Sequence, residues 1–591
     1  MKRWTDRYPQ RFEHEIEAFR TTEGLNLSLD EVELKRSGRV IFRGTLMRGS
    51  GDPMYLEVRY PDLFPFFRPE VFAPNHTFPR HQGRYRKNLC LLDRSTDQWL
   101  TENTGAWLVS ERVPFLLGLL EGDPEVMRTA EAPQGEPLTT YLPYPEGAVV
   151  FVPGEIRDAA DGEVGGDLKL AMGAPEQTTP LRACMTELAA DRGSGQSAVL
   201  ATAAEPLAGR FAAQALRARW VRLHELPAKH GDASSLLKAA KQSAGYKKPP
   251  ATALTPVNGA QTVSLRWLGV VVKDEVTQGV WEDTWFFIVT SEKRIGGVIK
   301  EDVPTLVRSE RLSQEDLSTR IPALSGLAGK VIVLIGLGAL GGPLALELLR
   351  AQVGELRALE HDVVSAGTIV RWPVGLTAVG HLKTTVLQGV ADANYPFTTV
   401  KTYKGMLGGV LAEGETEDRP QLEILDELFD GADIVIDATA ELGVRHLVST
   451  IARQLAIPQV YVSATQGGWG GVVARVVPGE TGCWWCLQKR LFDGSIEDAP
   501  YAKDGNIQPA GCGSRTWTGT SFDALPIVAQ AARTACFTLL AGRTPGADDV
   551  FVCHQAAASA SELTAPGWKS YALTAHSQCP YCQEDAQAAA A

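Results

Sequence analysis

Two pairs of cysteines, each pair separated by two residues, lie in the C-terminal part of the chain. The first pair is Cys483 and Cys486, and the second is Cys579 and Cys582. Thiolates with this spacing are typical ligands of a tetrahedral zinc ion, and two pairs complete a four-sulfur site. We therefore predict a structural Zn²⁺ site formed by these four residues.

A glycine-rich segment upstream of the cysteines has the pattern of a nucleotide-binding loop. Gly336, Gly338 and Gly341 follow an apolar run typical of a strand and precede an apolar run typical of a helix. This order allows backbone N–H groups at the start of a helix to approach phosphates. Asp362 follows 21 positions after Gly341, where a carboxylate can accept the hydroxyls of a ribose.

Charged residues beyond the second predicted strand favour ATP over a dinucleotide. Arg371 and Lys383 would neutralise phosphate charge, whereas a nicotinamide ring needs no such pair. A later strand leads to Asp437 and Glu441, either of which is a candidate ligand of Mg²⁺. An NAD-dependent dehydrogenase is disfavoured by the two cations and by the cysteine pairs.

The elements that must position these residues are those of a multidomain α/β protein. A chain of 591 residues is too long for one hydrophobic core. We predict an α+β segment at 1–135, a mixed α/β linker segment at 136–310, and an alternating strand and helix segment with a parallel sheet at 311–591. Within the middle segment we predict a helix near residues 211–220 and an exposed linker at 227–261.

The amino-acid composition argues against nucleic acid and membranes as partners and indicates a cellular compartment. The formal net charge is −12, and the absence of a long Lys/Arg run argues against nucleic acid as the main partner. No apolar run approaches the length of about 20 residues that crosses a bilayer, so no membrane partner is expected. Nine cysteines that include two metal-like pairs fit a reducing compartment, which predicts a cytoplasmic protein.

Residues from about 311 to 584 resemble the adenylating enzymes of the ThiF, MoeB and ubiquitin-activating class. The resemblance rests on the three glycines, on Asp362 with Arg371 nine residues later, on Gly380 with Lys383, and on the two cysteine pairs. It implies a Rossmann-like adenylation domain that binds ATP and Mg²⁺ and carries a zinc site.

Two positions depart from the pattern of this family. Thr368 stands where the family usually has Asn, and Ala440 stands where it usually has a Mg²⁺-binding Asp. The choice between Asp437 and Glu441 as metal ligand therefore stays open. The family also implies a homodimer, in which an arginine near the N-terminal side of one subunit reaches the ATP of the other, and Arg311 has this offset.

Cys512 is the candidate acyl acceptor of the adenylation segment. It lies in a glycine-rich stretch between the two cysteine pairs and shortly before an apolar helix. A cysteine in such a loop can serve as a thiol nucleophile. Members of the ThiF and ubiquitin-activating class carry their acyl-accepting cysteine at this place.

In the N-terminal segment, a strand-like run at 55–61, a Pro-rich stretch at 63–71, Cys90, Trp99 and a leucine-rich helix at 116–120 follow one another. This order resembles that of the ubiquitin-conjugating (UBC) fold, in which the cysteine is catalytic. The resemblance implies that Cys90 is the conjugating nucleophile. The His-Pro-Asn motif of that fold is not legible here. His76, His81 and Asn88 are the candidates for stabilising the oxyanion of the tetrahedral intermediate, and the sequence does not choose among them.

The two resemblances together imply one relay. The C-terminus of a ubiquitin-like protein, or another protein tail such as that of a nucleotidyltransferase, would become an acyl-adenylate, then a thioester on Cys512, and then a thioester on Cys90. An amine of a target protein would finally accept the acyl group. Fusions of this order resemble those of antiphage operons of the CBASS type and of bacterial ubiquitination-like operons.

Two other interpretations stay open. A sulfur-carrier adenylyltransferase of the ThiF/MoeB type would explain the C-terminal segment but not the UBC-like segment. A non-catalytic scaffold, in which both folds only bind partners, would be indifferent to the loss of both Cys90 and Cys512.

Overall fold

The computed structural model divides the chain into two compact units, Met1–Leu312 and Ser313–Ala591. It describes residues 2–47, 52–92, 98–122, 135–173, 182–193, 196–204, 214–227, 229–254, 263–295, 298–301, 304–410, 419–508, 515–555 and 565–582. The finer division into segments 1–135, 136–310 and 311–591 stays a prediction.

The first unit begins with helices against an antiparallel meander of four strands in the order β1-β2-β3-β4. The alternating residues Met54, Leu56 and Val58 of the third strand are buried in the same core as Phe19 and Val113 of the flanking helices. The strands are β1 Leu25–Leu29, β2 Ile41–Met47, β3 Pro53–Arg59 and β4 Glu70–Phe72; the helices are α1 Trp4–Arg7, α2 Pro9–Thr21, α3 Glu31–Ser37 and α4 Gly105–Glu121.

The rest of the first unit is a β-barrel. Among the described residues, seven strands pair in the order β11-β9-β6-β7-β5-β14-β12, and β12 pairs back with β11, so that the ring closes. Outside this ring of seven, β8 pairs with β7, β10 with β11 and β13 with β12. The strands are β5 Val149–Pro153, β6 Gly165–Met172, β7 Arg182–Asp191, β8 Ser197–Thr202, β9 Gln214–Leu223, β10 Thr252–Leu254, β11 Val263–Thr277, β12 Val280–Ile295, β13 Val298–Glu301 and β14 Thr305–Leu312; the helices are α5 Gly154–Arg157 and α6 Ala233–Gln242.

Two local predictions for this barrel were wrong. Of the stretch near residues 211–220, predicted as a helix, residues 211–213 lie outside the described residues, and 214–220 belong to strand β9. Leu216, Ala218 and Trp220 fill the barrel interior, and this period-two burial outweighs the helix propensity of the Ala and Arg residues. The stretch at 227–261 is not only a linker, because α6 buries Leu236 and Ala240 against the barrel.

The second unit is a doubly wound sheet in the order β17-β16-β15-β18-β19-β20-β23-β24. The first five strands of this order are parallel, and the last three join antiparallel. The strands are β15 Val331–Ile335, β16 Glu355–Glu360, β17 Thr399–Lys404, β18 Ile434–Asp437, β19 Gln459–Ala464, β20 Gly470–Val476, β21 Asn506–Ile507, β22 Thr516–Trp517, β23 Val550–His554 and β24 Gly567–Tyr571. The helices are α7 Gln314–Ser318, α8 Gly341–Arg350, α9 Lys383–Asn394, α10 Gln421–Phe429, α11 Leu442–Gln454, α12 Trp484–Phe492 and α13 Ser521–Ala541.

Helix α13 is, within the described ranges, the one helix long and apolar enough by length and composition to cross a membrane. It packs instead as a core helix: Ala524, Ile527, Val528 and Ala531 are buried in the same cluster as the strands of the sheet. The Thr520 hydroxyl and the Asp523 carboxylate form a capping box that fixes where the helix begins. The cytoplasmic location of the chain stays a prediction.

Candidate functional site

The predicted nucleotide residues meet at the carboxyl edge of the parallel sheet. Strand β15 ends at Ile335, whose backbone pairs with Leu359 of β16 on one side and with Asp437 of β18 on the other. The strand order reverses between β15 and β18, and ligands of open α/β sheets bind in the crevice at such a switch point. The loops that follow these three strands form the candidate site.

The glycine loop turns tightly and then opens toward this crevice. Gly336 has φ +89°, a value that favours glycine, and a Cβ atom on Gly341 would lie 1.8 Å from the Gly336 carbonyl oxygen. A Cβ atom on Gly338 would instead meet, among the described residues and apart from its chain neighbours, no heavy atom within 4 Å. Helix α8 begins at Gly341, so its first N–H groups face the same space, which fits the phosphates of ATP.

Two carboxylates and one ammonium group stand beside the loop. The Lys383 Nζ lies 2.9 Å from Asp362 Oδ2 and 3.6 Å from Glu360 Oε2. Glu360 is buried, and its Oε2 accepts a hydrogen bond from the Leu337 N–H at 2.8 Å. The predicted Asp362 and Lys383 are therefore brought together. Sequence reasoning missed Glu360, although it is the last residue of β16 and lies at the spacing expected of a ribose acceptor.

Asp437 is buried at the end of β18 with an unsatisfied oxygen. Its Oδ1 accepts hydrogen bonds from the Thr439 N–H at 2.9 Å and from the Thr439 hydroxyl at 2.7 Å. Its Oδ2 has no hydrogen-bond partner in the part of the chain that the structure describes. Burial raises the pKa of this carboxyl. An orphaned carboxylate oxygen fits a Mg²⁺ ligand, while Glu441 is exposed just before α11.

The side chain of Arg371 contacts residues of strand β22, whereas Lys383 contacts Glu360 and Asp362. Its guanidinium donates to the Trp517 carbonyl and to the Thr516 hydroxyl, each at 2.7 Å, and lies 4.6 Å from the Trp517 ring centroid. Burial lowers the pKa of Arg371. The next residue, Trp372, donates its indole N–H to the Leu337 carbonyl at 2.8 Å. Arg371 is thus anchored between the glycine loop and strand β22, and its contact with phosphate stays a prediction.

Cys512 lies outside the described residues. The segments on either side of it, β21 and β22, pair antiparallel with Asn506 opposite Trp517 and Ile507 opposite Thr516. Of these two strands, β22 contacts Arg371 through Thr516 and Trp517.

The four predicted zinc ligands form one compact cluster. The Sγ–Sγ distances are 3.9 Å for Cys483–Cys486, 3.5 Å for Cys483–Cys579 and 3.6 Å for Cys486–Cys582. Four sulfurs on a tetrahedron with Zn–S bonds of about 2.3 Å are about 3.8 Å apart, so the set fits Zn²⁺. The His576 N–H donates to Cys486 Sγ at 3.2 Å and would orient that ligand.

Arg311 lies near the end of β14 in the first unit. Its guanidinium pairs with Glu282 of the neighbouring strand β12. Its predicted reach to the ATP of a partner subunit stays a prediction.

Cys90 is exposed on an irregular antiparallel segment that follows β4. Its N–H donates to the His81 carbonyl at 2.8 Å, and the neighbouring Gln82 and Leu89 form a β-bridge. The Arg112 Nε of α4 donates to the Leu91 carbonyl at 3.1 Å and holds the segment against the helix. Of the three predicted helpers, His81 is the one that lies across from Cys90.

The other two helpers lie elsewhere on this segment. The ring of His76 stacks on Phe78 with centroids 6.1 Å apart. Asn88 bridges to Phe72 of β4, and its Oδ1 lies where a Cβ on Gly83 would come within 2.3 Å. Both residues therefore belong to the packing of the segment, and an oxyanion role for either stays a prediction.

Residues 322–556 match the model of the ThiF family, so the second unit carries a ThiF-family domain in a Rossmann-type sheet. The uncharacterized protein y4oA of Sinorhizobium fredii is 29% identical over 98% of this chain and 97% of its own length. The ATP-dependent ubiquitin transferase-like protein Cap2 of Enterobacter hormaechei is 25% identical over 23% of this chain and 21% of its own length. A crystal structure of E. coli MccB with ATP covers 44% of this chain and 68% of its own, with 14% identity and a TM-score of 0.32.

Proposed function

We propose that the chain activates the C-terminal carboxylate of a ubiquitin-like protein, or of another protein tail such as that of a nucleotidyltransferase, and transfers it to an amine of a target protein. ATP is the activating substrate, and the carboxylate becomes an acyl-adenylate with loss of pyrophosphate. Cys512 then takes the acyl group as a thioester, and Cys90 receives it by thiol exchange.

The observation that carries this proposal is the placement of Lys383 between Glu360 and Asp362, directly beside the glycine loop. The two carboxylates would accept the ribose hydroxyls, as the acid at the end of the second strand does in nucleotide-binding sheets. The ammonium group and the N–H groups of Gly338 and Gly341 would face the phosphates. The match to the ThiF family and the similarity to Cap2 support the same reaction class.

Two metal ions complete the proposed enzyme. Asp437 would hold Mg²⁺ through its orphaned oxygen, with Glu441 as the other candidate, and the ion would neutralise phosphate charge. Cys483, Cys486, Cys579 and Cys582 would hold a structural Zn²⁺, which ties α12 to the C-terminal end of the described chain.

The conjugating half of the proposal rests on the first unit. A helix, a four-stranded antiparallel meander, an exposed cysteine and a second helix follow in the order of the UBC fold. We assign Cys90 as the second acyl carrier. Fusion of two carriers in one chain raises the effective concentration of the receiving thiol. A homodimer in which Arg311 reaches the partner's ATP, and a role in antiphage defence of the CBASS type, are parts of the same proposal.

Pyrophosphate exchange and a non-reducing gel test the proposal together. The purified chain is incubated with ATP, Mg²⁺ and proteins encoded beside its gene, and the variants are Cys512→Ala, Cys90→Ala and Cys90→Ser. We expect an ATP-dependent, thiol-labile adduct that is lost in Cys512→Ala and remains on Cys512 in Cys90→Ala. In Cys90→Ser the adduct should become an ester that resists thiols. The buried barrel thiol gives the control variant Cys184→Ala, which should form the wild-type adduct.

Other results would select the alternatives. Pyrophosphate exchange without any thiol adduct would indicate a sulfur-carrier adenylyltransferase and would remove the conjugating role. If the wild type shows neither pyrophosphate exchange nor an adduct with any of the proteins tested, the chain would be a scaffold that binds partners without catalysis.

A further inference from the structure

The segment that bears Cys90 places a histidine directly across from it. Gln82 and Leu89 form the β-bridge, and both are buried. His81 and Cys90 are the next opposed residues, joined by the hydrogen bond from the Cys90 N–H to the His81 carbonyl at 2.8 Å. Cys90 is exposed and the His81 side chain is 24% exposed, so both are accessible at this point of the surface.

A carboxylate from outside the UBC-like elements fixes this histidine. Glu136 Oε1 lies 3.3 Å from His81 Nδ1 and also accepts a hydrogen bond from the His81 N–H. The backbone of His81 has φ +59°, an uncommon value for a residue other than glycine, and the double contact with Glu136 holds it there. With Nδ1 directed at a carboxylate, Nε2 is the ring nitrogen left for proton transfer.

The barrel in turn holds Glu136 and its neighbours. Asp274 of β11 accepts hydrogen bonds from the Leu138 N–H at 2.6 Å and from the Thr139 N–H at 2.9 Å, which fixes the short 3-10 helix Leu138–Tyr141. Burial, with the charges of Glu136 and Cys90, raises the pKa of Tyr141 in this turn. Arg80, next to His81, pairs at 2.7 Å with Glu275 of the same strand.

We propose that His81 is the general base of the Cys90 site and that Glu136 is its positioning residue, so that the segment before the barrel completes the conjugating centre. The arrangement is that of a nucleophilic thiol, a base and an orienting carboxylate. It rests on the proposed function for the identity of the acyl donor.

The step balances within this site. The nitrogen of a neutral amine attacks the carbonyl carbon of the Cys90 thioester, the C–N bond forms and the C–S bond breaks. The proton lost by the amine passes to His81 Nε2 and then to the departing Cys90 sulfur. Cys90 returns to the thiol and His81 to the neutral imidazole, with no oxidant or other co-reactant.

Single-turnover discharge of the Cys90 thioester to free lysine, followed against pH, is the first test. The variants are His81→Asn, which tolerates the positive φ but cannot accept the proton, and Glu136→Gln; His14→Asn, at an exposed histidine of α2, is the matched control. General base catalysis contributes roughly 100-fold or more, so we expect a loss of about 100-fold in His81→Asn with the pH dependence of the wild type abolished. Glu136→Gln should lose less and shift the pH profile, and His14→Asn should discharge at the wild-type rate.

Alkylation of Cys90 by iodoacetamide provides a readout that needs no acyl donor. If His81 serves the thiol, the alkylation rate of His81→Asn against pH should differ from that of wild type by about tenfold near neutral pH, while the melting temperature is unchanged. If the wild type never forms a thioester, the proposed function fails, and the alkylation profile still tests the His81–Cys90 pair. Wild-type discharge and wild-type alkylation in His81→Asn would overturn the inference.

Discussion

The nucleotide crevice of the second unit and the Cys90 site of the first unit are built in different ways. In the crevice, the loops after β15, β16 and β18 converge because parallel strands end at one edge of the sheet. Short sequence motifs around Gly336 and Lys383 supply the candidate binding residues. At Cys90, Glu136 contacts His81, the residue opposite Cys90, and the turn that follows Glu136 is held by β11 of a barrel. Sheet topology brings most of the first site together, whereas long-range packing assembles the second.

The largest expected effect concerns the four-cysteine cluster, which the spacing of the cysteines in the sequence predicts. Cys579→Ser should abolish stoichiometric zinc and destabilise the second unit, since structural zinc sites contribute on the order of 10 kcal/mol of binding free energy to folding. Metal analysis and two-domain calorimetry measure this. The transition of the first unit should stay unchanged, and Cys184→Ser offers a cysteine control. Unchanged zinc content in Cys579→Ser would remove the four-thiolate site.

Two glycines of one loop should separate folding from nucleotide binding. Gly341→Ala places a Cβ 1.8 Å from the Gly336 carbonyl oxygen, so we expect a loss of about 3 kcal/mol of stability together with loss of ATP binding. Gly338→Ala meets no protein atom within 4 Å and should keep the melting temperature while it weakens ATP binding. Calorimetry and ATP titration give both values. ATP binding at wild-type strength in Gly338→Ala would mean that phosphates do not lie on this loop.

The predictability of each site follows from its construction. The glycine loop, Asp362 with Lys383, and the cysteine cluster could be predicted because fixed spacings on consecutive elements bring them together. Glu360 was missed because a single acid at a strand end carries no motif, even though its carboxylate accepts the Leu337 N–H. The partnership of Arg371 with Trp517 depends on a return of the chain far downstream, which no local pattern encodes.

The first unit shows the same limit more strongly. The sequence showed a cysteine with several candidate helpers, but the position of His81 opposite Cys90 depends on register, and its contact with Glu136 depends on a segment that follows the N-terminal helices and meander. Strand β9 was predicted as a helix because Ala and Arg favour helices locally, whereas the closed barrel rewards alternate burial of Leu216, Ala218 and Trp220. The closure of the barrel depends on pairing between strands far apart in the sequence, which a pattern within about ten residues does not reveal.

A buried carboxylate of the barrel should reveal how far the Cys90 site depends on packing. Asp274 accepts three hydrogen bonds from Leu138 and Thr139, and Asp274→Asn would turn an amide N–H₂ toward donors. We expect a loss of about 2 kcal/mol of stability and slower discharge of the Cys90 thioester, with pyrophosphate exchange unchanged. Asp161→Asn removes an exposed ion pair with Lys273, which neighbours Asp274 in β11, and should leave the melting temperature close to that of wild type. Wild-type discharge in Asp274→Asn would separate the barrel from the conjugating step.

The smallest expected effect is on the pH dependence of stability and concerns Asp437 in the nucleotide crevice. Because burial raises its folded pKa above the unfolded value, the folded state favours the neutral acid. The free energy of unfolding therefore falls as pH rises from the unfolded pKa through the folded pKa, and the loss is complete above both. Asp437→Asn removes this penalty, so its melting temperature relative to wild type should increase as pH rises above the ordinary carboxyl pKa of about 4.

If Asp437 holds Mg²⁺, adding Mg²⁺ and ATP should make wild type more stable than Asp437→Asn, the reverse of the order expected without them. A ligand that binds only the ionised carboxylate stabilises wild type in proportion to its concentration over its Kd, and Asp437→Asn would not gain this stabilisation. Thermal shifts with Mg²⁺·ATP at pH 7 measure the difference, and Glu441→Gln is the matched variant, since its carboxylate is exposed. Equal shifts in Asp437→Asn and wild type, with a reduced shift in Glu441→Gln, would move the metal to Glu441 and leave the buried charge of Asp437 as a structural feature of the strand end.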